Sequence, residues 1–166
     1  MTQPQKLIVI YDDDLAKDIV DSIIAKKPAE GYDIQVQSAS IRPKNLLNLD
    51  PTTKVIFILQ TIENASPTEN GGTCLRFFKR KTHPENLLEE KFQYSVFGLG
   101  DSNLLFDRQT TTANDCNQVA QELDSRLEKL GGTRFYELGM ADEREGLPEV
   151  QPWIAGLWEK LGKLAS

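Results

Sequence analysis

The sequence predicts one α/β domain, a five-stranded parallel sheet in the order 2-1-3-4-5 covered by helices on both faces. Three observations predict it. Short β-branched apolar runs alternate with longer segments of helical period along the whole chain. Three of those runs, in residues 6–11, 54–61 and 94–100, are apolar with little alternation, as central parallel strands are. The 166 residues suffice for one full core, and no repeat, linker or low-complexity stretch divides them. Residues 1–166 therefore read as a single domain.

Each element follows from its own pattern. Residues 6–11 (KLIVIY) form a buried strand, and residues 15–26 a helix with Ile19, Ile23 and Ile24 at helical spacing. Residues 32–39 (YDIQVQSA) alternate, as a half-buried strand does. Residues 41–53 read as a loop, with Pro43, Asn45, Asn48 and Pro51. The run 54–61 (KVIFILQT) is a central strand, and 73–80 a helix carrying Leu75, Phe77 and Phe78. Residues 94–100 (YSVFGLG) give the next buried strand. The strongest helix is 114–130, with Val119, Leu123, Leu127 and Leu130 on one face and Gly131-Gly132 to stop it. Residues 134–138 read as the fifth strand, and 150–164 as a closing helix with Trp153, Ile154, Leu157 and Leu161.

Composition narrows the function classes. A net charge of -6 and a pI near 4.9 argue against nucleic acid and fit docking onto a basic protein partner. Such a balance also keeps any protein soluble. Cys74 and Cys116 are far apart, which reads as two free thiols in a reducing compartment. The single His83 sits in a polar stretch and reads as a solvated loop residue, so no metal set is expected. No apolar stretch approaches the ~20 residues that span a bilayer, and the features of a signal peptide are missing from the N-terminus. The chain reads as cytoplasmic, or as the mature form of an organellar protein.

In this architecture ligands bind beyond the carboxyl ends of the strands, where the loops after strands one, three and four meet. The first loop is Asp12-Asp13-Asp14. A phosphate there needs small residues, hydroxyls and free amides at the following helix. One carboxylate at ~6 Å from one unit of phosphate charge costs about 3 kcal/mol at an effective dielectric near 20, so three should exclude a dianion. Acids at a helix start also complement the macrodipole and cap amides. The second loop runs from Thr61 and Ile62 through Glu63 to Glu69 and Asn70. In the third, Gly98, Leu99 and Gly100 lead to Asp101, Asn103 and Leu104, and the glycines allow backbone to approach a flat ligand.

The third loop is where the chain becomes recognisable. Val96-Phe97-Gly98-Leu99-Gly100-Asp101-Ser102-Asn103 resembles the loop of the FMN-binding domains of diflavin reductases. Leu123-Asp124-Ser125-Arg126-Leu127 with Leu130-Gly131 resembles their next helix. Pro152-Trp153-Ile154-Ala155-Gly156-Leu157-Trp158, with Gly139 to Asp142 and Gly146-Leu147, is most similar to the methionine synthase reductases within that group. The resemblance covers nearly the whole chain and implies a flavodoxin-like three-layer sandwich and FMN chemistry. It also implies docking, through acidic residues at the flavin edge, onto an acceptor such as cobalamin-dependent methionine synthase.

The departures from that family fall in the binding loops. The family's Ser/Thr/Gly-rich phosphate cradle is replaced by Asp12-Asp13-Asp14, about two residues short of a cradle. Ile62 stands where the family has a stacking aromatic, Glu63 and Ala65 where it has glycines, and Leu104 where a second aromatic is usual. About eight extra residues surround Arg108 to Asn114, a length that marks a remodelled loop. Each lost aromatic forfeits ~0.5–1.5 kcal/mol of stacking.

The expectation is a non-catalytic accessory protein without tight FMN, docking on a basic partner through Asp12, Asp13, Asp14, Glu63, Glu69, Asp101 and Asp107. The alternative is an FMN electron carrier fed by a separate reductase, with Thr61, Ile62, Gly98, Leu99, Gly100, Asp101, Asn103 and Leu104 around the flavin. A receiver domain needs a phosphoacceptor Asp after the third strand, where Gln60-Thr61 stands. A haloacid-dehalogenase-like phosphatase needs a Thr- and Gly-rich continuation of its Asp, which Leu15-Ala16 does not supply.

Overall fold

The computed structural model describes residues 5–27, 31–62, 66–102 and 116–165. The strands are β1 (Gln5–Tyr11), β2 (Tyr32–Ser38), β3 (Lys54–Ile62), β4 (Ser66–Pro67), β5 (Gln93–Gly100), β6 (Thr133–Arg134) and β7 (Gly139–Asp142). The helices are α1 (Asp14–Ala25), α2 (Glu69–Phe78), α3 (Gln118–Lys129) and α4 (Val150–Ala165). The sheet runs β2-β1-β3-β5-β6, with β7 also on β5 and β4 on β3. Every pairing is parallel except the two-residue contact of β3 with β4. This is the predicted 2-1-3-4-5 order, with β3 central.

Alternation across the sheet divides the core in two. Ile8, Ile10, Val55, Phe57 and Leu59 face α2 and α3, whose Leu75, Phe78, Val119, Leu123 and Leu127 cover them. Leu7, Val9, Ile56, Ile58 and Leu99 face α1 and α4, against Ile19, Val20, Ile23, Trp153, Ile154 and Leu157. Each such side chain, fully buried, contributes about 1.5–3 kcal/mol. Because both faces are covered, β3 reads as an apolar run rather than an alternation.

The fifth strand is the clearest correction. Instead of one strand over 134–138, two short strands flank that segment. The registers Tyr94↔Arg134 and Phe97↔Gly139 put four residues, Phe135 to Leu138, opposite only Ser95 and Val96. The extra length forms a bulge: the Phe135 N–H still bonds the Tyr94 carbonyl at 2.9 Å, and side chains meet the Glu137 carbonyl. Trp153 Nε1 donates to the Glu137 carbonyl at 3.0 Å.

Helix ends follow their sequence signals. Gly131 at φ +86° closes α3: its N–H bonds the Glu128 carbonyl and that of Gly132 the Leu127 carbonyl, each at 3.0 Å. Helix α2 begins at Glu69, ahead of the predicted 73, because Thr68 caps it. Within the expected 41–53 loop, residues Pro43–Asn48 make a 3₁₀ turn that buries Pro43 and Leu46. His83 is half-buried rather than solvated: its Nε2 lies 2.7 Å from the Phe77 carbonyl, its ring 4.9 Å from that of Phe77. Cys74 and Cys116 are buried thiols.

The recognisable motifs turn out to serve the scaffold. Asp124 takes a two-pronged contact from Arg134 at 2.8 Å on each oxygen. Arg126 donates to the Phe78 and Arg80 carbonyls at 2.7 and 3.1 Å, tying α3 to the end of α2. Trp158 Nε1 donates to the Ile23 carbonyl at 2.9 Å, locking α4 to α1.

Candidate functional site

The first loop is as short as a strand-to-helix connection allows, with only Asp12 and Asp13 between β1 and α1. Asp12 turns inward and is 3% exposed. Its Oδ2 accepts from the Gln60 main-chain N–H at 2.8 Å and from Thr68 Oγ1 at 2.9 Å. Thr68 Oγ1 in turn accepts from the Gly71 N–H at 3.0 Å, the first-turn cap of α2. Asn70 Nδ2 donates to the Asp12 carbonyl at 3.3 Å. A Cβ on Gly71 would stand 3.0 Å from both Asp12 Oδ2 and Thr68 Oγ1, so glycine makes this approach possible.

The other Asp12 oxygen, Oδ1, is buried with no hydrogen-bond partner. Burial pushes the Asp12 carboxyl up to about 6, against the Gln60 and Thr68 hydrogen bonds that draw it down. Burial, with a smaller contribution from the Asp12 charge, pushes the Cys74 thiol up to about 12.

Asp12 therefore does not belong to an exposed acidic cluster, contrary to the expectation from sequence. Its short loop and two donors hold it inside. Asp13 is half-buried and occupies the cap position of α1 without bonding an amide there. In the orientation that satisfies both groups, the Gln60 side-chain nitrogen donates to both Asp13 oxygens, at 2.5 and 2.6 Å. Asp14 is exposed in the first turn of α1, and Glu69 in that of α2.

Thr61 is 1% exposed, and its Oγ1 accepts from the Val119 N–H at 3.1 Å. It caps α3 from the neighbouring strand. Ile62 is half-buried and pairs with Ser66 of β4. Glu63, Asn103, Leu104, Asp107 and the segment from Arg108 to Asn114 lie outside the described residues.

At the end of β5 the glycines make room for protein. A Cβ on Gly98 would stand 2.5 Å from Asn117 Oδ1 and 2.6 Å from Ala120 Cβ. One on Gly100 would stand 2.2 Å from the Cys116 carbonyl oxygen. The close approach read from sequence as that of a flat ligand is made here by the lead-in to α3. The Leu99 side chain is fully buried between the sheet and its α1–α4 layer. Asp101 is half-buried.

Several residues of this end of the sheet escaped the sequence reading. Asp142 is 3% exposed, and its Oδ1 accepts from the Ser102 and Arg144 amides at 2.9 and 3.0 Å. Burial alone would raise its carboxyl; the contacts with Ser102 and Arg144 outweigh it and hold the group below the usual range. Asn117 Nδ2 donates to the Ala141 carbonyl at 3.0 Å, joining α3 to β7. The available signals were a polar Asn opening an apolar-periodic helix and an Asp ending a strand before a polar turn.

Residues 14–153 match the flavodoxin family model. Methionine synthase reductase of Bos taurus is 32% identical over 149 residues, which is 89% of this chain and 20% of that protein. NADPH-dependent diflavin oxidoreductase 1 of Danio rerio is 30% identical over 146 residues, 82% of this chain and 23% of that protein. The chain thus spans about a fifth of the length of these curated relatives. Among solved structures, oxidised flavodoxin 1 from Bacillus cereus superposes with a TM-score of 0.64 at 16% identity, covering 98% of this chain and 100% of that one. A strand order with β3 central, two helices on each face and a match over most of the length agree: this chain belongs to the flavodoxin family.

Proposed function

We propose that this flavodoxin domain keeps the family scaffold, does not bind FMN tightly, and acts as a docking or accessory protein for a basic partner. The observation that carries this reading is the position of Asp12. A phosphate after β1 requires donors converging on the first loop. Here two such donors, the Gln60 amide and the Thr68 hydroxyl, are taken by the chain's own Asp12 carboxylate. Asp13 occupies the start of α1 beside it. The described residues of this loop do not fit a phosphate dianion. Thr61, a candidate flavin contact, has its hydroxyl engaged by α3. Ile62 supplies apolar surface without a ring to stack.

Asp14 and Glu69 are exposed beside this end of the sheet, with Asp13 half-buried between β1 and α1, and they suit a basic partner. Kinship with the methionine synthase reductases suggests cobalamin-dependent methionine synthase as the partner to try first. The test is surface-immobilised binding to that enzyme at about 50 and 300 mM salt, with the triple variant Asp13→Asn, Asp14→Asn, Glu69→Gln alongside. Association is expected to slow with salt and in the variant. Binding that ignores both changes would remove the docking face from the account. The alternative, an FMN electron carrier served by a separate reductase, is favoured by the breadth of the family match, and a yellow protein on purification would establish it.

A further inference from the structure

The charge of this acidic chain is not spread evenly. Five of its 19 Lys and Arg residues line the α2–α3 face: Arg76, Lys79, Arg80, Arg126 and Lys129. Two neighbouring clefts run between these helices, about 380 and 460 Å³ in volume, and share Lys79 and Glu122. Leu75, Pro67 and Gly72 line one of them and give it apolar surface.

The cations there are only partly employed by the fold. Arg126 is structural, since it donates to the Phe78 and Arg80 carbonyls. Lys79 pairs with Glu122 at 3.2 Å. Arg80 lies over the Phe77 ring at 5.1 Å, and Arg76 donates to the Thr73 hydroxyl at 3.4 Å. Among the described residues, no carboxylate stands within ion-pair distance of Arg76, Arg80, Lys81, Arg126 or Lys129.

The position of the group matters as much as its sign. Helices α2 and α3 start beside the carboxyl ends of the strands and run back toward their amino ends. The basic residues gather on the later turns, at the end of the sheet away from Asp13, Asp14 and Glu69. Along α2 the Lys79–Arg80 end stands about 14 Å from Glu69, against a Debye length of about 8 Å at physiological salt. The Arg76 guanidinium lies nearer, beside Gly72 and Thr73, so the screening from the acidic end is greatest for Arg80 and Lys129.

We infer that the α2–α3 clefts form a second docking surface, for an extended acidic peptide segment of a protein partner. Arg76, Arg80 and Lys129 would meet its carboxylates, and the Leu75–Pro67 surface an apolar side chain between them. The paired clefts suit a chain laid across both helices. A polynucleotide fits less well. The net charge of -6 opposes a long polyanion, and the aromatic rings nearest the patch, Phe77 and Phe78, are buried and offer no stacking platform. This inference is independent of whether FMN binds.

The test uses the full chain and a fluorescein-labelled peptide of about twelve residues, alternating Glu with Leu or Ala, read by anisotropy at low and physiological salt. The expected result is saturable binding that weakens about tenfold between about 50 and 150 mM salt. The triple variant Arg76→Glu, Arg80→Glu, Lys129→Glu changes only exposed side chains and should weaken binding by at least about tenfold. The triple variant Lys26→Glu, Lys27→Glu, Lys160→Glu, exposed on the α1–α4 side, makes the same change in net charge and should stay within about twofold. No binding at low salt, or equal loss in both variants, would overturn the inference. Tighter binding of an oligouridylate of the same charge, or displacement of the peptide by equimolar tripolyphosphate, would overturn the assignment to a peptide.

Discussion

Replacing Asp12 by Asn should make the protein's stability less dependent on pH, because Asp12 is a buried acid whose charge the fold opposes. Its folded value lies near 6 against an ordinary 3.8. A carboxyl raised in this way stabilises the fold fully below pH 3.8, and the contribution disappears as pH rises through 6. The loss across that window is about 3 kcal/mol, from roughly two pKa units at 1.36 kcal/mol each. Between pH 7.5 and 5 the recovered part is about 1.4 kcal/mol. Asn can still accept from Gln60 and Thr68, but places an unpartnered NH₂ where Oδ1 stands, which costs about 1–3 kcal/mol at every pH. The pH-independent offset therefore says little, and the change with pH says much. Urea unfolding of both proteins at pH 7.5 and 5 gives four free energies. The wild type should gain about 1.4 kcal/mol more than the variant on acidification. Equal gains would refute the reasoning and place Asp12 in water.

Substitutions at three further positions test how the structure is built. Gly100→Ala puts a methyl group 2.2 Å from the Cys116 carbonyl oxygen and should destabilise the fold by about 3 kcal/mol. Gly162→Ala, on an open face of α4, should instead stabilise it by about 0.5–1 kcal/mol, and thermal melts of the two check the contrast. Thr61→Val keeps the volume but removes the α3 cap, so about 1–2 kcal/mol should be lost. Hydrogen exchange at the Val119 amide should quicken in that variant and stay near the wild-type rate in Thr61→Ser.

The sheet was legible because parallel strands covered on both faces write themselves as apolar runs; Val55 to Leu59 and Ile8 to Ile10 could be little else. The stop of α3 was legible because Gly131-Gly132 has a fixed geometric use. The two-residue bulge before β7 was not, since it depends on where Trp153 and Ser95 find the Glu137 carbonyl, across distant parts of the chain. The site was legible as a place but not as an arrangement. Three consecutive acids look alike in sequence; the Gln60 main-chain amide and the Thr68 hydroxyl hold the first inside, the Gln60 side chain holds the half-buried second, and the third is left exposed. Gly98 and Gly100 announced a close approach without saying what approaches. Asp142 and Asn117 carried only weak turn and cap signals.

The central proposal is that scaffold and cofactor binding have parted in this domain, and a paired fluorescence titration with FMN and riboflavin tests it most directly. The protein as purified should be colourless, because apolar contact with Ile62 gives ring burial without stacking or phosphate contacts. Flavin binding should then be weak, nearer millimolar than micromolar. Riboflavin should bind no worse than FMN, since a phosphate gains nothing beside Asp12 and Asp13. A yellow protein, or FMN held at micromolar concentration and much more tightly than riboflavin, would contradict the account.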